Sequence, residues 1–262
     1  MKRYYVIIVC VIFTLHANNA SFAQDTHKYI IQGVVYQIHK GSAYVLRLYD
    51  ENIKRHKLYL KKVHIPDSVM IEGDMYCVKG VSLMGCRYLK EVRLPNKLTC
   101  INPYAFAWCS SLQNVVIPNE VSHIYGEAFR GCYSLLSIKL PDSLRIIGNS
   151  AFINCTRLKS IEIPQYVRII EDGAFEGCRR LKYLILPQSI DTIGCFAFGG
   201  CKGLREIYVY AKEPPILVID SSSLQVFDGV KRSIPIHVVK GSKSMYLQAS
   251  EWKLFTNYID DL

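Results

Sequence analysis

Apolar positions in the middle of the chain recur at a distance that no single helix or strand would set. Leu89, Leu112, Leu135, Leu158, Leu181 and Leu204 stand 23 residues apart, and the same step separates Cys86, Cys109, Cys132, Cys155, Cys178 and Cys201. Phe106, Phe129, Phe152, Phe175 and Phe198, each after an alanine, form a third ladder, and Pro95, Pro118, Pro141, Pro164 and Pro187 a fourth. Ladders that share one period are the signature of a repeat architecture. Each unit is too small to bury its own apolar side and acquires a core only by stacking on its neighbours.

Within a unit the pattern predicts three short elements. The segment after leucine, such as LKSIEI from Leu158 to Ile163, alternates apolar and polar positions near its end. That alternation predicts a strand, stopped by Pro164, which has no N–H for a continuing ladder. After each proline, pieces such as DSLRIIG and QSIDTIG supply a second short extended edge. The following NSAFINC is too brief for an α-helix but suits a helical turn that drops Phe and Cys inward. Coils stacked at roughly 4.8 Å pile like residues on like. The predicted fold is a mostly β solenoid with short helical turns, six stacked 23-residue coils over 66–209, closed by N- and C-terminal caps.

The ends depart from the period. The first unit runs 29 residues from Pro66 to Pro95; its IEGDMYCV reads as strand, Gly73-Asp74 turn, strand, and Leu83 takes the Phe position. Upstream, YIIQGVVYQI and AYVLRLYD flank HKGS, a hairpin reading that makes 24–65 an N-terminal β cap. From Ile207 the period stops, and 210–262 read as a C-terminal cap. There IPIHVV is a strand, and SMYLQASEWKLFTNYI is a terminal helix whose Tyr246, Leu247, Trp252, Leu254 and Phe255 close the stack.

The run Leu140, Pro141, Ser143, Leu144, Ile147, Gly148, Ala151, Phe152, Cys155, Leu158 and Ile161 resembles the BspA-type leucine-rich repeats of bacterial surface proteins, over about Pro66 to Val209. The closing IHVVKGSKSMYLQASEWKLF is similar to the last segment of many such proteins from Bacteroidetes. The resemblance implies a right-handed leucine-rich repeat solenoid used in attachment to host or partner surfaces, often exported or displayed. It implies no particular ligand, because a fold does not fix one.

The N-terminus adds a location. Lys2 and Arg3, the apolar run from Tyr4 to Leu15 and then Ser21-Phe22-Ala23 read as a signal peptide over 1–23. The run is too short to span a bilayer and no second one of membrane length follows, so the sequence predicts an exported chain without stable membrane insertion. Cell surface, release and periplasm all remain open, and no cell-wall sorting tail is recognisable. Cys10 lacks the small residue that precedes a lipoprotein cysteine, so no lipid anchor is expected. Net charge is +10, or +8 once Lys2 and Arg3 are removed, which favours acidic glycans or acidic proteins as partners. Export argues against nucleic acid.

The chemistry-bearing residues are mostly accounted for by the repeat. Six of the ten cysteines are periodic and read as small buried residues, because parallel Cβ vectors in stacked coils stay about 4.8 Å apart where a bridge needs about 3.8 Å. Cys77 and Cys100, 23 apart but off the ladder, are left open as a disulfide pair. No C-x-x-C pair occurs and the histidines are scattered, so no metal or other cofactor is expected. Asn154-Cys155-Thr156 matches a glycosylation sequon, but the repeat places Cys155 inside. There is no G-x-S-x-G, H-E-x-x-H or phosphate-binding glycine loop, and the chain reads as non-catalytic.

What remains is surface. The residue between the last two inward positions of each strand points outward, giving the row Arg93, Val116, Lys139, Glu162, Ile185 and Tyr208. Beside it run Glu91, Asn114, Ser137, Ser160, Tyr183 and Glu206. Arg93, Val116, Lys139, Glu162, Tyr183, Ile185 and Tyr208 are the ligand-binding candidates. Trp108 joins them, since it stands where other coils carry Gly85, Gly131, Gly177, Gly200 or Asn154. The expected function is adhesion or recognition of an extracellular protein or polysaccharide through this face. The alternatives are an envelope component that stacks through its ends near Trp252 and Phe255, or a hydrolase acting on host polymers.

Overall fold

The structure, a computed structural model, describes residues 28–32, 34–48, 60–218 and 225–262; the expected signal peptide lies outside them. Each coil has three edges. The first is a parallel strand ladder, in which Lys62–His64, Glu91–Arg93 and Asn114–Val116 form one sheet. Ser160–Glu162, Tyr183–Leu186, Glu206–Val209, Pro235–Val238 and Asn257–Asp260 form another. Between them, Lys139 bridges back to Val116. The second edge is a six-stranded parallel sheet of two-residue strands, from Cys100–Ile101 to Ile216–Leu217. The third is a turn rather than a helix. Its chain folds back through bonds such as Cys132 N–H to Phe129 O at 3.1 Å, while the amides of Phe106, Phe129, Phe152 and Phe175 each donate 2.7 Å bonds to an alanine carbonyl of the next coil. All three edges therefore use backbone hydrogen bonds to tie coil to coil.

The ladders are the interior. Every residue of the Phe, Cys and Leu series is buried. Ring centroids along Phe106, Phe129, Phe152 and Phe175 are 5.1 Å apart at every step. The stack outlasts the sequence period: Phe198 continues onto Phe227 at 5.4 Å, although these two are 29 residues apart. The described residues beyond 210 thus add a further turn to the solenoid before it closes.

Stacking does not oxidise the cysteines. The thiols of Cys109, Cys132, Cys155, Cys178 and Cys201 lie 3.1 to 3.4 Å from a backbone carbonyl of the preceding coil, Leu83 for the first and a ladder phenylalanine for the rest, and donate to it. This gives a reason for cysteine over alanine: the thiol fills the site and supplies a weak donor. Burial pushes the thiols of Cys132, Cys155, Cys178 and Cys201 up, that of Cys201 to about 12, and a hydrogen bond with Cys86, followed by burial, raises that of Cys109. Cys77 and Cys100, left open as a pair, are both free thiols, on different sheets.

At the N-terminal end the expected hairpin is a three-stranded antiparallel unit, Lys28–Ile31, Val34–His39 and Ser42–Leu48. The extra residues of the first coil form their own hairpin, Ser68–Ile71 with Asp74–Val81, and join this sheet by a parallel pairing with the third strand. At the C-terminal end the expected single helix is broken into helix Lys243–Gln248, a 3-10 turn Trp252–Leu254 and strand Asn257–Asp260. The break falls where Trp252 turns inward onto Phe227 and Tyr246, its indole N–H donating to Pro215 O at 3.0 Å. Leu247 and Leu254, expected to help close the stack, are exposed instead; Tyr246, Trp252 and Phe255 close it.

Candidate functional site

The strand edge places its side chains by parity. In Asn114–Val116 and Ser160–Glu162 the central residue is buried and both flanking residues are exposed, as a strand with one face on the core requires. Parallel register then sets outward residues side by side: His64 beside Arg93, Arg93 beside Val116, Glu162 beside Ile185, and Ile185 beside Tyr208. Seven sequence-predicted candidates thus share one face. Their exposure varies. Val116 is 71% exposed and Tyr183 40%, whereas Ile185 and Tyr208 are half-buried.

The row is longer than the sequence period indicates. His64 precedes Arg93, and His237 and Ile259 follow Tyr208 in register. A signal existed in the sequence: KKVHIP, ending at Pro66, has the form of KEVRLP, ending at Pro95, but the 29-residue spacing hides it from a 23-residue ruler. Tyr208 is held rather than free. Its ring stacks on His237 at 4.4 Å and its hydroxyl donates to Glu206, which lifts the phenol to about 12. His237 in turn lies 3.0 Å from an Asp261 carboxylate oxygen.

The strand ladder opens once. Lys139 pairs with Val116 on one side, but no strand pairing carries it on to Glu162, and the two sheets of this edge end there. A cleft of about 480 Å³ occupies the interruption, lined by Ser137, Lys139, Asp142, Ser160, Glu162 and Gln165 over a floor that includes Ile138 and Leu140.

Trp108 does not belong to this face. It lies on the turn edge with φ of 62°, so it keeps the left-handed backbone of Gly85, Gly131, Gly177, Gly200 and Asn154, at a steric cost of roughly 1–2 kcal/mol for a residue with a Cβ. The indole lies against Gly131, where an added Cβ would meet it at 2.6 Å, with the Arg130 guanidinium 5.1 Å from the ring centre and Tyr133 at 6.2 Å. It is still 40% exposed. Among the described residues, no group of three His, Cys, Asp or Glu side chains is placed to hold a metal ion.

Residues 77–205 match the BspA type leucine-rich repeat region, in 6 copies. This is a BspA-like leucine-rich repeat protein. Among solved structures the BspA-like chain is similar to a leucine-rich repeat protein of T. pallidum, with 26% identity and a TM-score of 0.57 over 73% of this chain and 85% of that one. It is also similar to a leucine-rich cell surface protein of Faecalibacterium prausnitzii, with 18% identity and a TM-score of 0.61 over 84% of this chain and 74% of that one, a likeness of fold. No curated protein matches significantly. Among the described residues of the BspA-like chain, no helix is long and apolar enough to cross a membrane.

Proposed function

We propose that the protein is an exported, non-catalytic binding module that recognises an extracellular protein or polysaccharide through its strand face. The observation that carries this reading is the parallel register of the outward row. One parallel ladder holds Val116, another holds Glu162, Tyr183 and Ile185, and Lys139 bridges to Val116 between them, while Val116 and Tyr183 stay exposed although the core has no use for them. A platform fixed by backbone ladders loses little freedom when it binds, and aromatic and aliphatic anchors on such a platform are what interfaces use. Export rests on the leader-like residues 1–23 and agrees with the repeat family. In the alternative reading, assembly through the ends near Trp252 and Phe255, the contact would use the exposed Leu247 and Leu254, since Trp252 and Phe255 are themselves buried.

The test is saturable binding of the purified protein to a panel of extracellular-matrix proteins and glycans, with and without Tyr183, Ile185 and Tyr208 changed to Ser. These side chains point away from the core, so the triple variant should fold and lose binding. Binding unchanged in the folded triple variant would refute the strand-face reading.

A further inference from the structure

The cleft between Lys139 and Glu162 differs from every other junction along the strand edge. The coils behind it are not spread: Phe129 and Phe152 keep the ordinary 5.1 Å separation, and Lys159 N–H still donates to Leu136 O at 3.1 Å. Only the outer end of the ladder is open. A strand inserted between two others needs about 9.6 Å between them, twice the normal spacing. Coils held at their usual distance by the core cannot provide it, so no ligand enters between the coils as a further strand, and an occupant of the cleft lies over the opening instead.

Its lining is polar and uncommitted. Elsewhere on this face the carboxylates are engaged, Glu91 with Lys62, Glu206 with the Tyr208 hydroxyl and Asp261 with His237, while Arg93 has no ion pair among the described residues. None of the ion pairs or side-chain hydrogen bonds of the described residues uses the side chains of Ser137, Lys139, Asp142, Ser160, Glu162 or Gln165. Six exposed polar side chains, rich in oxygen and able both to donate and to accept, thus surround one volume within the roughly 300–1,000 Å³ typical of small-ligand sites. Two carboxylates face one ammonium, so the site is locally acidic on a basic protein and disfavours an anionic ligand. Tyr183 stands next to Ser160 in register, an exposed aromatic ring at the rim.

We propose that this cleft binds a neutral oligosaccharide segment. Asp142 and Glu162 accept from pairs of sugar hydroxyls, Lys139 and Gln165 donate to ring and hydroxyl oxygens, the serines do both, and the apolar face of one sugar ring rests on Tyr183. The densely spaced hydroxyls of a sugar match a short, crowded set of donors and acceptors in a way that a peptide, with one polar pair per residue, does not. The proposal rests on the strand-face reading and narrows it to one ligand class and one junction.

The test is an immobilised array of neutral tetrasaccharides of glucose, galactose, mannose and N-acetylglucosamine, with heparin as the acidic arm and fibronectin as the protein arm, probed with the full protein at low and high salt. The expected result is saturable binding to at least one neutral tetrasaccharide, insensitive to salt. Glu162→Gln should weaken it about tenfold by removing charge from the hydrogen bonds, Ser160→Tyr should abolish it by filling the cleft, and Trp108→Ser should leave it unchanged. Circular dichroism and melting confirm that each variant folds. Absence of neutral-sugar binding, or binding that survives both Glu162→Gln and Ser160→Tyr, overturns the proposal. If heparin or fibronectin alone binds, and does so through Tyr183, Ile185 and Tyr208 but not Glu162, the strand-face reading stands and the cleft proposal falls. If nothing in the panel binds, both fall together.

Discussion

Phe152→Ala tests the internal logic of the solenoid at its centre. Phe152 is fully buried between Phe129 and Phe175, each ring 5.1 Å away and within 2° of parallel. Parallel rings at that centroid distance are offset, an arrangement worth about 0.5–1.5 kcal/mol per pair beyond burial. Removing the ring deletes both contacts and leaves a cavity that the flanking coils cannot close, because backbone ladders set their spacing on all three edges toward Phe175 and on two toward Phe129, where the strand edge is open. Truncations of this type cost about 3–5 kcal/mol, and this site belongs at the upper end. With a urea slope of about 2–3 kcal/mol/M, the midpoint should fall by about 1–2 M. Phe152→Leu keeps much of the volume and should fall by less than half as much. Urea titration followed by circular dichroism reads both. An unchanged midpoint in Phe152→Ala would mean that the phenylalanines do not form the shared core, and the inward assignment of every ladder would fall with them.

Other consequences are local. In native protein an iodoacetamide pulse followed by mass spectrometry should label Cys77, which is exposed, well ahead of Cys132, Cys155 and Cys178, whose thiols are buried and shifted upward; labelling of the ladder before unfolding would contradict the core. Gly131→Ala should destabilise by about 1–2 kcal/mol through its left-handed backbone and push the Trp108 indole away, read as a change in tryptophan emission. The Asp67 carboxylate accepts from the Asn96 backbone amide and then its side chain, which holds it below the usual carboxylate range. Its contribution to stability is therefore present above the ordinary carboxylate pKa and lost as pH falls through the depressed value. The melting-temperature gap between wild type and Asp67→Ala should be open at pH 6 and narrow toward pH 2; a gap independent of pH would refute it.

The middle of the molecule is legible in the sequence because a solenoid converts period directly into contact: a 23-residue step puts Phe129 on Phe152 and Ser160 beside Tyr183 with no further information needed. Where the step changes, the ruler fails while the packing does not. Phe227 extends the phenylalanine stack after a 29-residue step, and His64 and His237 extend the outward row across irregular intervals. The apolar spacing of the C-terminal segment predicts one helix; burial of Trp252 against Phe227 breaks it, a tertiary contact outweighing a local pattern. Side-chain bonds such as the thiol to carbonyl contacts carry no sequence signature beyond the cysteine itself. The opening of the ladder at Lys139 is the least legible feature, for its coil keeps the period in full and nothing in its residues explains the gap.

The central claim, that the strand face is the recognition surface, is tested most directly by radical footprinting of the protein with and without a binder found in the panel. Exposed tyrosines surround the solenoid, so they serve as internal controls: Tyr183 on the strand face, and Tyr104, Tyr125, Tyr133 and Tyr210 on other segments. The account predicts protection of Tyr183, Val116 and Ile185 on binding, with Tyr104, Tyr125 and Tyr133 modified as before. Protection centred on Trp108, Tyr104 and Tyr133, with Tyr183 unchanged, would place recognition on the turn edge and contradict it.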